Sequence, residues 1–162
     1  MSAGTPTGSA FFLAGNATLI GDVSLGEHVS IWFGAVIRAD KDQISIGSES
    51  NIQDNAVVHT TVGRPVRIGS QVSVGHGAII HGCTINDRVL VGMGSVIMND
   101  AVIGEGSIIG AGAVVTEKTV VPPRSVVLGV PGKVVREVSA EQMVGIISNA
   151  EGYVKLAERY RN

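Results

Sequence analysis

Aliphatic side chains recur along this chain at a fixed step of six. From Ile85 the series runs through Val91, Ile97, Ile103, Ile109, Val115, Val121 and Val127 without a break, and glycine commonly follows, as in VGMGSV, IGEGSI and IGAGAV. The same step appears earlier in threes: Leu25, Ile31, Ile37; then Ile46, Ile52, Val58; then Ile68, Val74, Ile80. Neither the 3.6-residue period of a helix nor the two-residue alternation of a half-buried strand produces this spacing. It predicts a parallel β-helix in which three short strands make one triangular coil and the aliphatic of each hexad points inward. Grouped in threes, the hexads give roughly six coils, a rod on the order of 30 Å long at the ~4.8 Å spacing of hydrogen-bonded strands. The breaks between triplets read as short insertions at corners.

The repeat stops at Val130-Pro131-Gly132, where proline and glycine punctuate the chain. Beyond it, Ser139 and Gln142 form the S-x-x-Q pattern of a capping box. They predict a helix with Met143, Ile146, Ile147, Ala150, Val154 and Ala157 on the face that packs against the rod. Gly145 and Gly152 count against the helix and blur its extent. The domain organisation expected is therefore a β-helix over residues 1–135 and a helix packed on it over 136–162.

Composition agrees with a narrow, repetitive core: of 162 residues only 4% are aromatic, 22 are glycine, and the mean hydropathy is positive. A formal net charge of −2 offers no basic surface for neutralising phosphates, which argues against nucleic acid as a partner. The apolar run Ala10–Ala14 is too short for a membrane span or a signal core, so no membrane association is expected and the location expected is cytoplasmic. Cys83 is the single cysteine and cannot close a disulfide within the chain, in keeping with a reducing compartment.

The register also places the polar residues. Arg38, His59 and His81 each follow the third inward aliphatic of successive coils, so they stack on one edge. Asp54 and His76 each lie two positions after a second-side aliphatic and stack at another corner, with Gln53 beside Asp54. His28 has no partner in register and reads as a surface side chain. Two imidazoles one coil apart can share a metal that takes nitrogen ligands at ~2.0–2.1 Å. His76 is the natural third ligand, but it sits on a different side of its own coil. In a three-fold trimer the corner of one prism can meet the edge of the next, which would bring His76 to a neighbour's pair.

The repeat resembles the left-handed hexapeptide-repeat family, and that resemblance, not the period, supplies the handedness: a left-handed parallel β-helix with a C-terminal helix. Several motifs narrow it further. These are R-x-D at Arg38 and Asp40, N-I-Q-D at Asn51 to Asp54, His59, and G-H-x-x-x-x-H-G from Gly75 to Gly82. In this order they resemble the γ-class carbonic anhydrases, across the whole repeat region.

The resemblance implies a homotrimer whose metal is held by His59 and His81 of one subunit and His76 of the next, with Zn2+ the default and Fe2+ or Co2+ alternatives. It implies an enzyme that interconverts carbon dioxide and bicarbonate. Gln53 would be the hydrogen-bond partner of the metal-bound water, Arg38, Asp40 and Asp54 an ion-pair network around it, and Tyr153 a group on its open side.

Two positions depart from the family pattern. Lys41 stands where the archetypal enzyme has a glutamate after the R-x-D aspartate, and the loop Thr60–Pro65 after His59, TTVGRP, carries no carboxylate. In the archetype these acids are linked to proton transfer, so turnover here is expected to be limited by that step. Other classes remain: a hexapeptide-repeat acyltransferase or thioester-acting enzyme, which needs one histidine as base where this chain offers three in ligand register, and a structural subunit with a vestigial site. Met93, Met98, Trp32 and Phe33 read as packing residues of the coil surface or interface. GMGSV is a hexad turn, since no βαβ unit surrounds it to make a dinucleotide site.

Overall fold

A computed structural model describes residues 7–8 and 10–161. The six-residue step folds as expected, into a left-handed parallel β-helix of about six turns followed by a helix. The first face stacks Phe12–Leu13, Ser30–Ile31, Asn51–Ile52, Ser73–Val74, Leu90–Val91, Ile108–Ile109 and Ser125–Leu128. The second carries the first parts of the long strands Thr18–Leu25 and Val36–Ile46, then Val57–His59, Ile79–His81, Val96–Ile97 and Val114–Val115. The third takes the remainder of the two long strands, then Val66–Ile68, Thr84–Ile85, Val102–Ile103 and Val120–Val121. All rungs on the three faces are parallel, and the antiparallel strand Lys133–Glu137 closes the last coil.

The aliphatics of the series stack on one another through these rungs. Ile37 pairs with Val58, Val58 with Ile80, Ile80 with Ile97 and Ile97 with Val115, and all five are completely buried. Burial of one such side chain stabilises the fold by roughly 1.5–3 kcal/mol. Of the aliphatics in the series only Leu25, in the first coil, is half-buried, because no complete coil lies beneath it. The step extends back to Leu19 and Leu13, which pair with Ile37 and Ile31; this first coil went unmarked in the sequence reading.

The corner insertions are of two kinds. Between Ile37 and Ile46 the backbone simply continues as one bent strand, whereas between Val58 and Ile68 the loop turns back on itself, Arg64 N–H donating to Thr61 O at 2.8 Å. His28 lies at a corner with φ +56°, its ring edge-on to Phe11 with centroids 4.9 Å apart, which fits its reading as a surface side chain.

The helix spans Ala140–Tyr160, preceded by the strand that the sequence reading did not foresee. Its capping box is complete: Gln142 N–H donates to Ser139 Oγ at 3.1 Å and Ser139 N–H to Gln142 Oε1 at 3.2 Å. Ile146, Ala150 and Ala157 are its buried residues, while Met143, Ile147 and Val154 of the expected face are half-buried. Gly145 and Gly152 fall on the exposed side, where a side chain has nothing to pack against, so they cost the helix propensity and no contacts. The helix covers the first face. Trp32 lies beneath it, buried, with the Tyr153 ring 5.4 Å away and its indole N–H donating to Ser30 Oγ at 3.0 Å. Among the described residues no helix is long and apolar enough to cross a membrane.

Candidate metal centre

The second face is where the histidines stand. Along Val57–His59 and Ile79–His81 alternate side chains point outward, so that Val57 and His59, and likewise Ile79 and His81, share the outer surface. Register pairs Arg38 with His59 and His59 with His81, the stack expected from the hexads. The two rings lie with centroids 5.0 Å apart, and His59 Nδ1 faces His81 Nε2 at 3.0 Å.

The outer nitrogens decide the tautomers. His59 Nε2 is 3.0 Å from Asp40 Oδ1, and an ionised carboxylate can only accept, so Nε2 carries the proton and Nδ1 is bare. His81 Nδ1 is 2.8 Å from Asn99 Oδ1, so Nδ1 carries the proton there and Nε2 is bare. The Asn99 amide is oriented by its other end, Nδ2 donating to Glu117 Oε1 at 3.4 Å. Two bare nitrogens thus confront each other, an arrangement that repels unless a proton or a cation lies between them. Two imidazoles bound at ~2.0–2.1 Å to one tetrahedral ion would sit about 3.3 Å apart, close to the spacing found. The residues present fit a divalent cation.

Asp40 connects this pair to Arg38, whose guanidinium donates to Asp40 Oδ2. Partial desolvation works against the Asp40 charge, but the hydrogen bonds from His59 and Arg38, with the Arg38 charge, outweigh it and hold the carboxyl below its ordinary range. Asp40 is therefore ionised at neutral pH, as the His59 tautomer requires.

Asp54, His76, Gln53 and Tyr153 gather elsewhere, at the corner between the first and second faces. His76 Nδ1 is 2.9 Å from Asp54 Oδ2. Gly75 must lack a side chain, since a Cβ there would come within 2.7 Å of Val91 O. Gln53 is buried; its Nε2 donates to Asn51 Oδ1 at 3.0 Å, and Asn51 Nδ2 donates in turn to Ser73 Oγ at 2.9 Å. This fixes the amide and leaves Oε1 as the free acceptor. Gln53, His76, Met93, Asn149 and Tyr153 line a cleft of about 280 Å³. Burial, and then the Asp54 charge, push the Tyr153 hydroxyl above its ordinary value, so it remains a neutral donor.

The structure thus brings Arg38, Asp40, His59 and His81 together at one edge and Gln53, Asp54, His76 and Tyr153 at another. Among the described residues of the single chain, no group of three or more His, Cys, Asp or Glu converges on one point. Sequence reasoning missed Asn99, Glu117 and Asn51. The hexad count does not reach the first two: one coil beyond His81 the register position is Met98, because Ile80 pairs with Ile97, and Asn99 lies one residue past it with Glu117 one coil further. Cys83, two residues beyond His81, faces the core, and burial pushes its thiol up to about 12.

Residues 82–117 match the family described as bacterial transferase hexapeptide (six repeats). A protein of Methanocaldococcus jannaschii named probable carbonic anhydrase is 58% identical over 146 residues, covering 90% of this chain and 92% of that protein. Gamma carbonic anhydrase 2, mitochondrial, of Arabidopsis thaliana is 40% identical over 153 residues, 91% of this chain and 55% of that longer protein. Among solved structures, a hexapeptide transferase family protein from Anaplasma phagocytophilum superposes with a TM-score of 0.92 at 41% identity, over 96% of this chain and 92% of its own. The chain belongs to the γ-class carbonic anhydrase family of hexapeptide-repeat proteins.

Proposed function

We propose that the chain is a cytoplasmic, metal-dependent enzyme that hydrates carbon dioxide reversibly, as a homotrimer with a metal site at each subunit interface. The observation that carries this reading is the pair of bare imidazole nitrogens, His59 Nδ1 and His81 Nε2, held face to face at 3.0 Å by acceptors on their far sides. His76, on the neighbouring subunit, supplies the third nitrogen.

The outer surface of the second face supports the trimer. Beside the Arg38–His59–His81 column runs a second column in register, Val36, Val57, Ile79, Val96 and Val114, of which Ile79 is 42% exposed on the isolated chain. The helix covers the first face and leaves this aliphatic strip open. A second copy laid on it would bury the strip and set the corner bearing His76 against the edge bearing His59 and His81.

A divalent ion held there, zinc by default with iron or cobalt as alternatives, would supply Lewis acidity that lowers the pKa of a coordinated water toward ~7. The chain's own residues do the rest. Gln53, its amide locked by Asn51, presents Oε1 as an acceptor that orients the attacking water. Arg38, tied to Asp40, offers its remaining N–H groups to the bicarbonate oxygens. Asp54 fixes the ring of His76 from behind, as Asp40 does for His59. Tyr153, neutral, donates into the open side of the cleft.

Elemental analysis of protein prepared without a histidine tag tests the reading. About one divalent ion per subunit is expected, together with carbon dioxide hydration that disappears when the ion is chelated and returns on reloading. Protein that neither contains nor takes up a metal refutes it and favours acyl transfer, the activity suggested by the transferase signature over residues 82–117.

A further inference from the structure

His81 is the one histidine of the pair whose far side is not held by a carboxylate. Its partner, Asn99, is a neutral amide whose hydrogen-bonding sense depends on which end faces the ring. Glu117 sets that sense, and two further features hold the amide in place. Glu117 Oε1 accepts from Asn99 Nδ2 at 3.4 Å and so turns Oδ1 toward His81. Gly82, immediately after His81, leaves the space in which the carboxamide sits: a Cβ there would lie 2.3 Å from Asn99 Oδ1. The backbone pins four successive coils at this corner, Gly82 N–H donating to His59 O at 3.1 Å, Asp100 N–H to Gly82 O at 2.8 Å and Lys118 N–H to Asn99 O at 3.0 Å.

We propose that Asn99 is a positioning residue for the metal site: seated over Gly82 and oriented by Glu117, it holds His81 in the tautomer that leaves Nε2 bare and aimed at His59. A histidine free of such a partner exchanges between its two tautomers, and only one presents Nε2 as a ligand. Glu117, Asn99, His81 and His59 then form one side-chain ladder up four successive coils, with the exposed carboxylate at the far end acting on the ligand through the amide. The consequence for metal binding rests on the function proposed above; the consequence for the tautomer does not.

The test uses the intact protein labelled with 15N in its histidines. The chain has only four, so each ring is assigned by omission of one histidine at a time. In chelator-stripped protein, at a pH well above the imidazole range, His81 should show a protonated Nδ1 and a bare Nε2. Asn99→Ala should shift that ring toward the opposite tautomer and, in competition with a chromophoric chelator, weaken zinc binding by about 10–100-fold. Asn99→Asp, which keeps an acceptor in place, should restore both. Glu117→Ala, which frees the amide to turn over, should shift both in the same direction by less.

A merely structural role would lower the melting temperature of Asn99→Ala without moving the tautomer, and melting curves of all variants separate the two. If His81 keeps its Nδ1 proton in folded Asn99→Ala, the proposal is overturned. If Asn99→Asp folds but fails to restore the tautomer, it is overturned as well. Should the tautomer respond as expected in a protein that binds no zinc, Asn99 stands as the positioning residue and the metal reading falls.

Discussion

The shared site makes a quantitative prediction about mixed trimers. His76 lies across a corner from His81, paired with Asp54, and among the described residues of one chain no three His, Cys, Asp or Glu converge to hold an ion. Two ligands of one ion stand only about 3.3 Å apart. A single chain therefore leaves the set open, and His76→Ala and His81→Ala should each lose nearly all bound metal. When the two variants are unfolded, combined in equal amounts and refolded, an interface works only if its pair comes from the first and its third ligand from the second. The chance is one half for each subunit, so about one quarter of all sites should reappear, since three-fold closure makes every interface equivalent. Metal per subunit after removal of free ions, and hydration rate per total protein, should both recover to that fraction, while either variant refolded alone recovers none. Native mass spectrometry establishes that mixed trimers formed. Mixed trimers with no more metal than the separate variants would show that the ligands come from one chain and would sink the interface site.

Three further outcomes follow from other parts of the molecule. Because Lys41 and the carboxylate-free loop Thr60–Pro65 provide no acid to carry the proton away, carbon dioxide hydration should rise with the concentration of a small imidazole buffer and saturate. Stopped-flow rates that are high in dilute buffer and flat thereafter contradict this. Ile97 is fully buried between Ile80 and Val115, so Ile97→Ala should destabilise the folded state by about 2–5 kcal/mol through lost transfer energy and a residual cavity. Denaturant titration reads this, and a loss under 1 kcal/mol would mean the coils close over the gap. Burial raises the Cys83 thiol from 9.0 to about 12, so its contribution to stability is complete below pH 9 and is lost as the pH climbs toward 12. In the native protein at pH 8 the thiol should resist a water-soluble disulfide reagent, and rapid labelling without unfolding would contradict its burial.

The core was legible because a β-helix writes its geometry into the sequence. One coil is three hexads, so residues that stack are separated by a nearly constant count. That count puts Arg38, His59 and His81 in one column and separates His76 from them. The same count leads from His81 to Met98, so it misses Asn99, one residue beyond, and Glu117, one coil further. They were passed over because an asparagine at a corner has an ordinary explanation in turn chemistry, and only the distance to His81 distinguishes a ligand's partner from a turn former. The strand Lys133–Glu137 escaped for a different reason: it pairs antiparallel and is exposed along its whole length, so no buried face marks it with a period. The first coil was missed because it lies at the open end of the rod, where Leu19 is only half-buried and Leu13, at 48% exposure, does not behave as a core residue.

Asn51 belongs to another category. It follows a turn, is completely buried, and reads in the sequence as one letter of N-I-Q-D. Its place in the chain Ser73–Asn51–Gln53 depends on which neighbours the adjacent coil supplies. Position in the repeat fixes where a polar group stands, but its partner lies one coil away and must itself be polar to matter. The functional columns of this fold are therefore those in which polar residues recur at the coil spacing on several successive turns. By that criterion Arg38–His59–His81 is such a column, and the hydrogen bonds from His81 to Asn99 and from Asn99 to Glu117 extend it from one position past the register. It joins the network that turns His59, through Asp40 and Arg38, to the one that turns His81, through Asn99 and Glu117. The two ends act on one point, the gap between His59 Nδ1 and His81 Nε2, and changes at either end should be felt there before they are felt anywhere else in the fold.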